Sequence, residues 1–114
     1  METQIVDKLT PEVENSLKTI KPIIESIVKI DQIILFGSRT TKNYKETSDY
    51  DLMLVLKKSV SVKEKIKISN KITAILARKL IDADIIVKNL QDIEELKDKP
   101  YSIVREAIKT GVVI

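Results

Sequence analysis

Two apolar runs on either side of a polar loop decide the fold, and they lie in QIILFGSRTTKNYKETSDYDLMLVLK, residues 32–57. The first run, 32–36, ends at Gly37 and predicts a short buried strand that stops at a tight turn. The second run, 49–57, predicts another strand. The residues between them, 38–48, are polar and predict a loop with room for one helical turn.

A helix is expected before this segment. Thr10 and Pro11 are the residue types typical of an N-cap and of the first helical position. Apolar residues then recur at spacings of three and four as far as Ile27. This stripe continues in phase past Pro22, so we expect one helix kinked at the proline rather than two helices.

After residue 57 the pattern alternates between helices and strands. Ser61 and Glu64 form a capping box that opens a helix ending near Leu80. A third strand is expected over 83–88, short helices near 92–98 and 100–109, and a last strand over 112–114. Gly111 lies where a helix C-cap is expected.

This order of elements predicts an α/β (α+β) protein with a small mixed sheet and helices packed on one face. The length of 114 residues leaves room for a single domain, 1–114.

The composition excludes several kinds of chemistry. The chain has no Cys, which excludes disulfides, zinc–thiolate sites and thiol catalysis. It has no His, which excludes Ser–His catalysis and imidazole-bound metals. A metal site must therefore use oxygen ligands, which favours Mg²⁺, Mn²⁺ or Ca²⁺.

Charge and hydropathy indicate the surroundings of the protein. The net charge is +3, and 17 of the 20 basic residues are lysines. A solvated lysine-rich surface explains this excess better than direct binding of nucleic acid. No apolar stretch is long enough for a membrane span and no signal peptide opens the chain, so we expect a cytoplasmic protein without membrane contact.

Two carboxylates at the start of the second strand are candidate metal ligands. Asp49 and Asp51 are two residues apart, and such residues project from the same face of a strand. Carboxylates this close repel each other unless a cation lies between them. Asp84, in the third apolar run, is a third candidate. Three carboxylates on neighbouring strands suit two divalent ions about 4 Å apart, an arrangement that activates phosphoryl transfer.

Asp82 is the alternative to Asp84, since both would share a face. Asp82 falls in the turn before the strand, where Asp commonly makes local hydrogen bonds. Asp84 lies inside the apolar run, where an unpaired carboxylate is costly. We therefore favour Asp84.

The turn after the first strand suits phosphate binding. Gly37 allows the backbone to approach a ligand closely. The hydroxyl and backbone N–H groups of Ser38 are donors for an anion. Arg39 is a candidate to bind phosphate in bidentate fashion. Ten residues separate Ser38 from Asp49.

Residues 35–39, LFGSR, and 47–52, TSDYDL, together resemble the signature of the DNA polymerase beta-like nucleotidyltransferase superfamily. More narrowly, the chain is similar to the minimal nucleotidyltransferases (MNT), single-domain antitoxins that accompany a HEPN toxin. The similarity extends to Asp84 and to the closing segment 106–114.

The resemblance implies roles for the matching residues. Asp49, Asp51 and Asp84 would bind two Mg²⁺ ions, and Asp84 would help to deprotonate the attacking hydroxyl. Gly37 and Ser38 would hold the triphosphate of ATP. Relatives of this type act as antitoxins, and some transfer AMP from ATP to a tyrosine of the HEPN toxin.

Alternatives remain open at the sequence level. One alternative is a non-catalytic antitoxin that neutralises its partner by binding. Another is an enzyme that transfers the nucleotide to another protein or to a small molecule. Such a small domain leaves an open site, so a partner, the substrate or a second copy in a homo-oligomer must supply the missing walls. Tyr44 and Tyr50 are candidates to stack on a base, although Tyr50 fits better beneath the strand.

Overall fold

The computed structural model describes residues 9–42 and 44–114, so the first eight residues of the predicted domain lie outside the described part. The helices are α1 (Pro11–Ile27), α2 (Val62–Arg78), α3 (Leu90–Leu96) and α4 (Ile103–Thr110). The strands are β1 (Ile30–Phe36), β2 (Tyr50–Leu56), β3 (Ala83–Asn89) and β4 (Val112–Val113). A short 3-10 helix, Ser38–Thr40, follows β1.

The four strands form one mixed sheet in the order β3-β2-β1-β4. β1 is antiparallel to both β2 and β4, whereas β2 and β3 are parallel. The predicted α/β class with a small mixed sheet is confirmed. β2 is central, and its residues from Leu52 to Leu56 are all buried, as expected for a strand that is covered on both faces.

Helices cover both faces of the sheet, whereas the sequence predicted helices on one face. α1 and α2 pack on the first face, as expected. α3 and α4 cover the second face with a smaller apolar cluster that includes Val104 and Ala107. The physical reason is that β1 and β2 are apolar at consecutive positions, so each strand presents apolar side chains to both sides. A second helical layer removes the side chains on the other face from water. Burial of each large apolar side chain stabilises the fold by roughly 1.5–3 kcal/mol.

Alternate side chains of β2 point to opposite faces of the sheet and pack in different apolar clusters. Tyr50, Leu52 and Leu54 lie in the apolar cluster on the α1/α2 face. Met53 and Val55 lie in the cluster on the α3/α4 face. The same alternation holds in β3, where Ile85 and Val87 belong to the first cluster and Ile86 packs against the second.

The helix starts follow local hydrogen bonds that the sequence only partly revealed. Thr10 caps α1 and Ser61 caps α2, as predicted: each side-chain oxygen accepts an N–H from the first turn. α1 continues through Pro22 as one helix. α3 starts two residues earlier than predicted, because the N–H of Asn89 donates to Asp92 Oδ2 at 2.8 Å. α4 starts three residues later than predicted, because Ser102 caps it.

The last turn of α4 lies directly against β1. A side chain at Gly111 would meet the Ala107 carbonyl oxygen at 2.3 Å and Ile34 Cγ2 at 2.5 Å. Glycine therefore ends the helix as predicted, and it allows the chain to enter β4 beside β1. No helix in the described ranges is long and apolar enough to cross a membrane.

Asp92 stabilises the junction between β3 and α3, and its charge gives this contribution a pH dependence. The backbone N–H of Asn89 and then the Lys65 ammonium, 2.6 Å away, lower the pKa of Asp92 below its usual value. Because the folded pKa lies below the unfolded one, the stabilisation is present above about pH 4 and is lost as the pH falls through the folded pKa.

Asp92→Asn should therefore lower the free energy of unfolding by about 1 kcal/mol at pH 7, the usual value of a helix cap. Urea titrations at pH 7 and pH 3 should show this difference shrinking at the lower pH. Glu94→Gln, which breaks the exposed pair with Lys97, is the matched control and should leave stability unchanged. An equal loss at both pH values would contradict the charge-based account.

Candidate active site

Asp51 and Asp84 lie directly opposite each other on adjacent parallel strands. Their Cα atoms are register partners of β2 and β3. Asp51 alternates with Met53, and Asp84 alternates with Ile86, so both carboxylates project toward the α3/α4 face. Asp51 is partly buried, while Asp84 is exposed. The structure thus brings together two of the three predicted carboxylates at one edge of the sheet.

Asp49 and Glu106 complete an acidic group around Asp51. Burial raises the pKa of the Asp51 carboxyl above its usual value, and the charges of Asp84, Asp49 and Glu106 raise it further, in that order. Asp49 is exposed and comes one residue before β2, outside the hydrogen-bonded ladder. Asp51 is the most buried member of the group, and the charges of all the other members act on it.

Gly37 presses against the Asp51 carboxylate. Its backbone has φ +79° and ψ −159°, a region that essentially only glycine adopts. A Cβ at this position would lie 2.3 Å from Asp51 Oδ2. Phe36 and Asp51 are register partners, so the turn after β1 necessarily passes beside the carboxylate. The Gly37 turn and the acidic group are therefore one continuous site.

Ser38 begins the 3-10 helix next to this turn, and its side chain is exposed. Its carbonyl oxygen accepts the N–H and the hydroxyl of Thr41, at 3.0 Å and 2.8 Å. The turn is thus held from within, while the Ser38 side chain remains accessible to a ligand.

Arg39 lies on the opposite side of the sheet from the carboxylates. Its side chain is buried, and its guanidinium carbon lies 4.3 Å and 4.5 Å from the ring centroids of Tyr44 and Tyr50. Tyr50 belongs to the apolar cluster on the α1/α2 face. The structure therefore places Gly37 and Ser38 beside the acidic group, but not the guanidinium of Arg39.

Tyr50 lies beneath the strand, as its position in the sequence favoured over stacking on a base. Asp82 is exposed in the turn before β3, where its carbonyl oxygen accepts the Tyr50 N–H at 2.9 Å. It is not among the charges that act on Asp51. Asp84, rather than Asp82, therefore acts on Asp51, but Asp84 is exposed, so the burial cost on which the preference for it rested is absent.

The donor set fits Mg²⁺, although the side chains are not placed for chelation. Among residues 9–42 and 44–114, no three acidic side chains are grouped closely enough to hold an ion. Asp49, Asp51 and Asp84 offer oxygen ligands only, the kind that Mg²⁺ prefers. The charges of Asp49 and Asp84 act on Asp51, and a divalent cation relieves such repulsion. Two of the three are exposed, so their side chains have room to turn toward an ion.

Residues 18–114 match the family model described as "Polymerase beta, Nucleotidyltransferase". The chain belongs to this nucleotidyltransferase family. The matched range includes Gly37, Ser38, Asp51 and the three acidic residues around Asp51.

Two proteins of Methanocaldococcus jannaschii are similar in sequence. The protein named "Putative protein adenylyltransferase MJ0141" is 35% identical over 78 residues, which is 67% of this chain and 75% of that protein. The protein named "Putative protein adenylyltransferase MJ1217" is 30% identical over 82 residues, which is 72% of this chain and 81% of that protein. The chain is thus a nucleotidyltransferase with named adenylyltransferases among its relatives.

Solved structures share the fold. A chain in the crystal structure of a toxin–antitoxin with AMP-PNP superposes with a TM-score of 0.56 at 17% identity, over 84% of this chain and 69% of that one. A chain in the structure of the tri-AMPylated Shewanella oneidensis HEPN toxin with MNT antitoxin gives 0.51 at 16% identity, over 84% and 66%. The nucleotidyltransferase chain thus spans about two thirds of the length of these chains. At these identities the likeness establishes the fold.

Glu106 is the member of the site that sequence reasoning missed. It lies in α4, 55 residues after Asp51, and no local motif links the two. Only the packing of α4 on the second face of the sheet brings them together. An acidic residue just before the apolar Ala107 was the available signal, but it is also what an ordinary amphipathic helix shows.

Gly37→Ala should damage both stability and the site. The new Cβ collides with Asp51 Oδ2 and the backbone is strained, so we expect a loss of about 1–3 kcal/mol in the free energy of unfolding. Chemical denaturation measures this loss. In an Asp51→Ala background the collision is absent, and the cost of Gly37→Ala should fall. An unchanged cost would show that the contact with Asp51 is unimportant.

Asp51→Asn should stabilise the metal-free protein. Ionised Asp51 opposes folding at neutral pH, because its folded pKa is raised above the unfolded value. We expect Tm in EDTA to rise by about 2–5 °C, since 1 kcal/mol shifts Tm by roughly 4–8 °C in a domain of this size.

Mg²⁺ should raise Tm of the wild type but not of Asp51→Asn. Scanning calorimetry with EDTA and with excess Mg²⁺ tests both statements. Asp82→Asn is the control, because Asp82 is an exposed aspartate next to the same strands that does not act on Asp51. A drop in Tm for metal-free Asp51→Asn would contradict the repulsion argument.

Proposed function

We propose that this nucleotidyltransferase transfers AMP from ATP to a hydroxyl of a partner protein, in a reaction that depends on Mg²⁺. The observation that carries the proposal is the pairing of Asp51 with Asp84 beside the Gly37 turn. Membership of the family supports the reaction type, and the two similar proteins named as protein adenylyltransferases support AMP as the group transferred. We also propose that residues 1–114 form one nucleotidyltransferase domain.

The site residues take separate roles in this proposal. Asp49, Asp51 and Asp84 would hold two Mg²⁺ ions. The chemistry that Mg²⁺ would supply there is neutralisation of the charge on the phosphates. The exposed Ser38 hydroxyl and the close backbone at Gly37 would bind the triphosphate.

Asp84 would act on the acceptor hydroxyl in this reaction. In the reaction the acceptor oxygen bonds to the α-phosphorus while the bond from that phosphorus to pyrophosphate breaks. Asp84 is exposed at the edge strand, and we assign it the role of receiving the hydroxyl proton. The products are the AMP ester of the acceptor, pyrophosphate and one proton.

The acceptor proposed is a tyrosine of a HEPN toxin, which would make the chain an MNT antitoxin. Structures with the same fold are described as toxin–antitoxin complexes, one with a tri-AMPylated HEPN toxin and one with AMP-PNP. The acidic group also lies at an open edge of a small sheet. A macromolecular acceptor can provide the walls that exclude water from such a site.

Incubation of the chain with α-labelled ATP and the protein encoded next to it, if that protein has a HEPN domain, tests the proposal. Wild type with Mg²⁺ should transfer label to that protein, with the modified residue identified by mass spectrometry. Asp51→Asn and Asp84→Asn should each reduce the rate by at least about 100-fold, as expected when a group that acts on the transition state is lost. Removal of Mg²⁺ with EDTA should have the same effect.

Asp82→Asn is the matched control and should keep the rate within about twofold of the wild type, since surface substitutions have small effects. A survival assay separates modification from simple binding. If Asp51→Asn neutralises the toxin as well as wild type does while transferring no label, neutralisation occurs by binding and the enzymatic account of it is overturned. Label in a small molecule instead of protein would overturn the choice of acceptor.

A further inference from the structure

Arg39 is buried outside the acidic group and donates hydrogen bonds through Nε and Nη2, whereas its Nη1 is buried without a hydrogen-bond partner among the described residues. Its Nε donates to the Ser48 carbonyl at 3.1 Å, and its Nη2 donates to the Glu46 carbonyl at 3.3 Å. The planar guanidinium lies between the rings of Tyr44 and Tyr50. The side chain is about 7% exposed, so these contacts are shielded from water. They join β2 to the loop that leads into it.

These contacts bracket Asp49 in the chain. The Ser48 carbonyl belongs to the peptide bond that precedes Asp49, and Tyr50 follows it directly. Asp51 is held by the ladders with β1 and β3, but Asp49 lies before β2 begins. Arg39 therefore contacts both Ser48 and Tyr50, the two neighbours of Asp49. Asp49 is the one predicted metal ligand that the sheet does not fix.

The start of α1 supports the guanidinium from behind. Glu12 Oε1 lies 3.8 Å from Arg39 Nη1. The Tyr44 hydroxyl donates to Glu12 and lies 2.8 Å from Thr10 Oγ1. Tyr44 is thus tied to α1 while its ring covers one side of Arg39. A helix, a loop and a strand meet at this one side chain.

We infer that Arg39 is a positioning residue that fixes Asp49 for metal binding, rather than a direct ligand of the nucleotide. The inference rests on the proposed function, because it assigns Arg39 a part in assembling the proposed metal site. It also replaces the expectation from sequence that Arg39 binds phosphate. Lysine cannot take over this role, since it has neither the planar surface for stacking nor two donors in a fixed fork.

Metal and nucleotide binding, measured separately on the intact chain, test the inference without turnover. Mn²⁺ binding is followed by electron paramagnetic resonance at saturating AMP-PNP, and AMP-PNP binding by calorimetry at saturating Mn²⁺. Arg39→Lys should raise the dissociation constant for Mn²⁺ roughly tenfold, the usual effect of losing a group that orients a ligand. Its affinity for AMP-PNP should stay within about twofold of wild type, because the guanidinium lies on the far side of the sheet.

Matched variants separate positioning from a general loss of structure. Arg78→Lys is the control for the change itself, because Arg78 is an exposed arginine at the end of α2. In an Asp49→Asn background, Arg39→Lys should change the dissociation constant for Mn²⁺ by less than about twofold, because the two residues act as a unit. Amide hydrogen exchange should become faster at Asp49 but not at Leu54. If Arg39→Lys does not fold, Tyr44→Leu removes one face of the stack and should weaken Mn²⁺ binding less strongly.

The outcomes distinguish the inference from the function on which it rests. If wild type binds both probes and Arg39→Lys leaves the Mn²⁺ constant unchanged, the positioning role is overturned while the proposed function stands. A loss of AMP-PNP affinity with normal Mn²⁺ binding would show that Arg39 binds the nucleotide, and it also overturns the role. If the wild type binds neither Mn²⁺ nor AMP-PNP, the proposed function fails, and the inference fails with it.

Discussion

The alternation of side chains along β2 is the constraint on which the site depends. Successive residues of a strand point to opposite faces, and β2 has helices on both. Tyr50 must therefore face α1 and α2, and Asp51 must face α3 and α4. A shift of one residue in the register would bury the carboxylate among the aliphatic side chains of the first face and expose Leu52 to the second. The apolar residues of β2 thus fix the direction of Asp51.

Parallel pairing with β3 then makes the second carboxylate part of the same site. The register places Asp84 opposite Asp51, and both share the face that α4 covers. The sheet forces like charges together, so the folded protein carries a repulsion that an extended chain would not have. This repulsion persists because the apolar parts of the same strands offset it. A divalent cation bound between such carboxylates would relieve this repulsion.

Sequence reasoning reached the parts of the site that local patterns encode. The turn at Gly37 and the pair Asp49 and Asp51 followed from strand periodicity. Asp84 was preferred to Asp82 because of the expected cost of burying a carboxylate, but Asp84 is exposed in the structure. Sequence reasoning did not reach Glu106, because proximity across 55 residues depends on how α4 packs. It also expected helices on one face, because the apolar stripe of a short helix such as α4 does not show which face of the sheet the helix covers. The start of α3 depended on a backbone hydrogen bond to Asp92, which composition does not display.

Arg39 shows that neighbouring residues of one short motif can lie on opposite sides of a sheet. From the sequence, an arginine after a Gly-Ser turn suits a phosphate, since both would lie at the end of one strand. In the structure the 3-10 helix turns the chain after Ser38, and the next side chain enters the opposite side of the sheet, between two tyrosines. The Arg39 guanidinium then donates hydrogen bonds to backbone carbonyls of the loop before β2. A short motif can therefore contain residues for both faces: Gly37 and Ser38 beside the carboxylates, and Arg39 behind the loop that carries one of them.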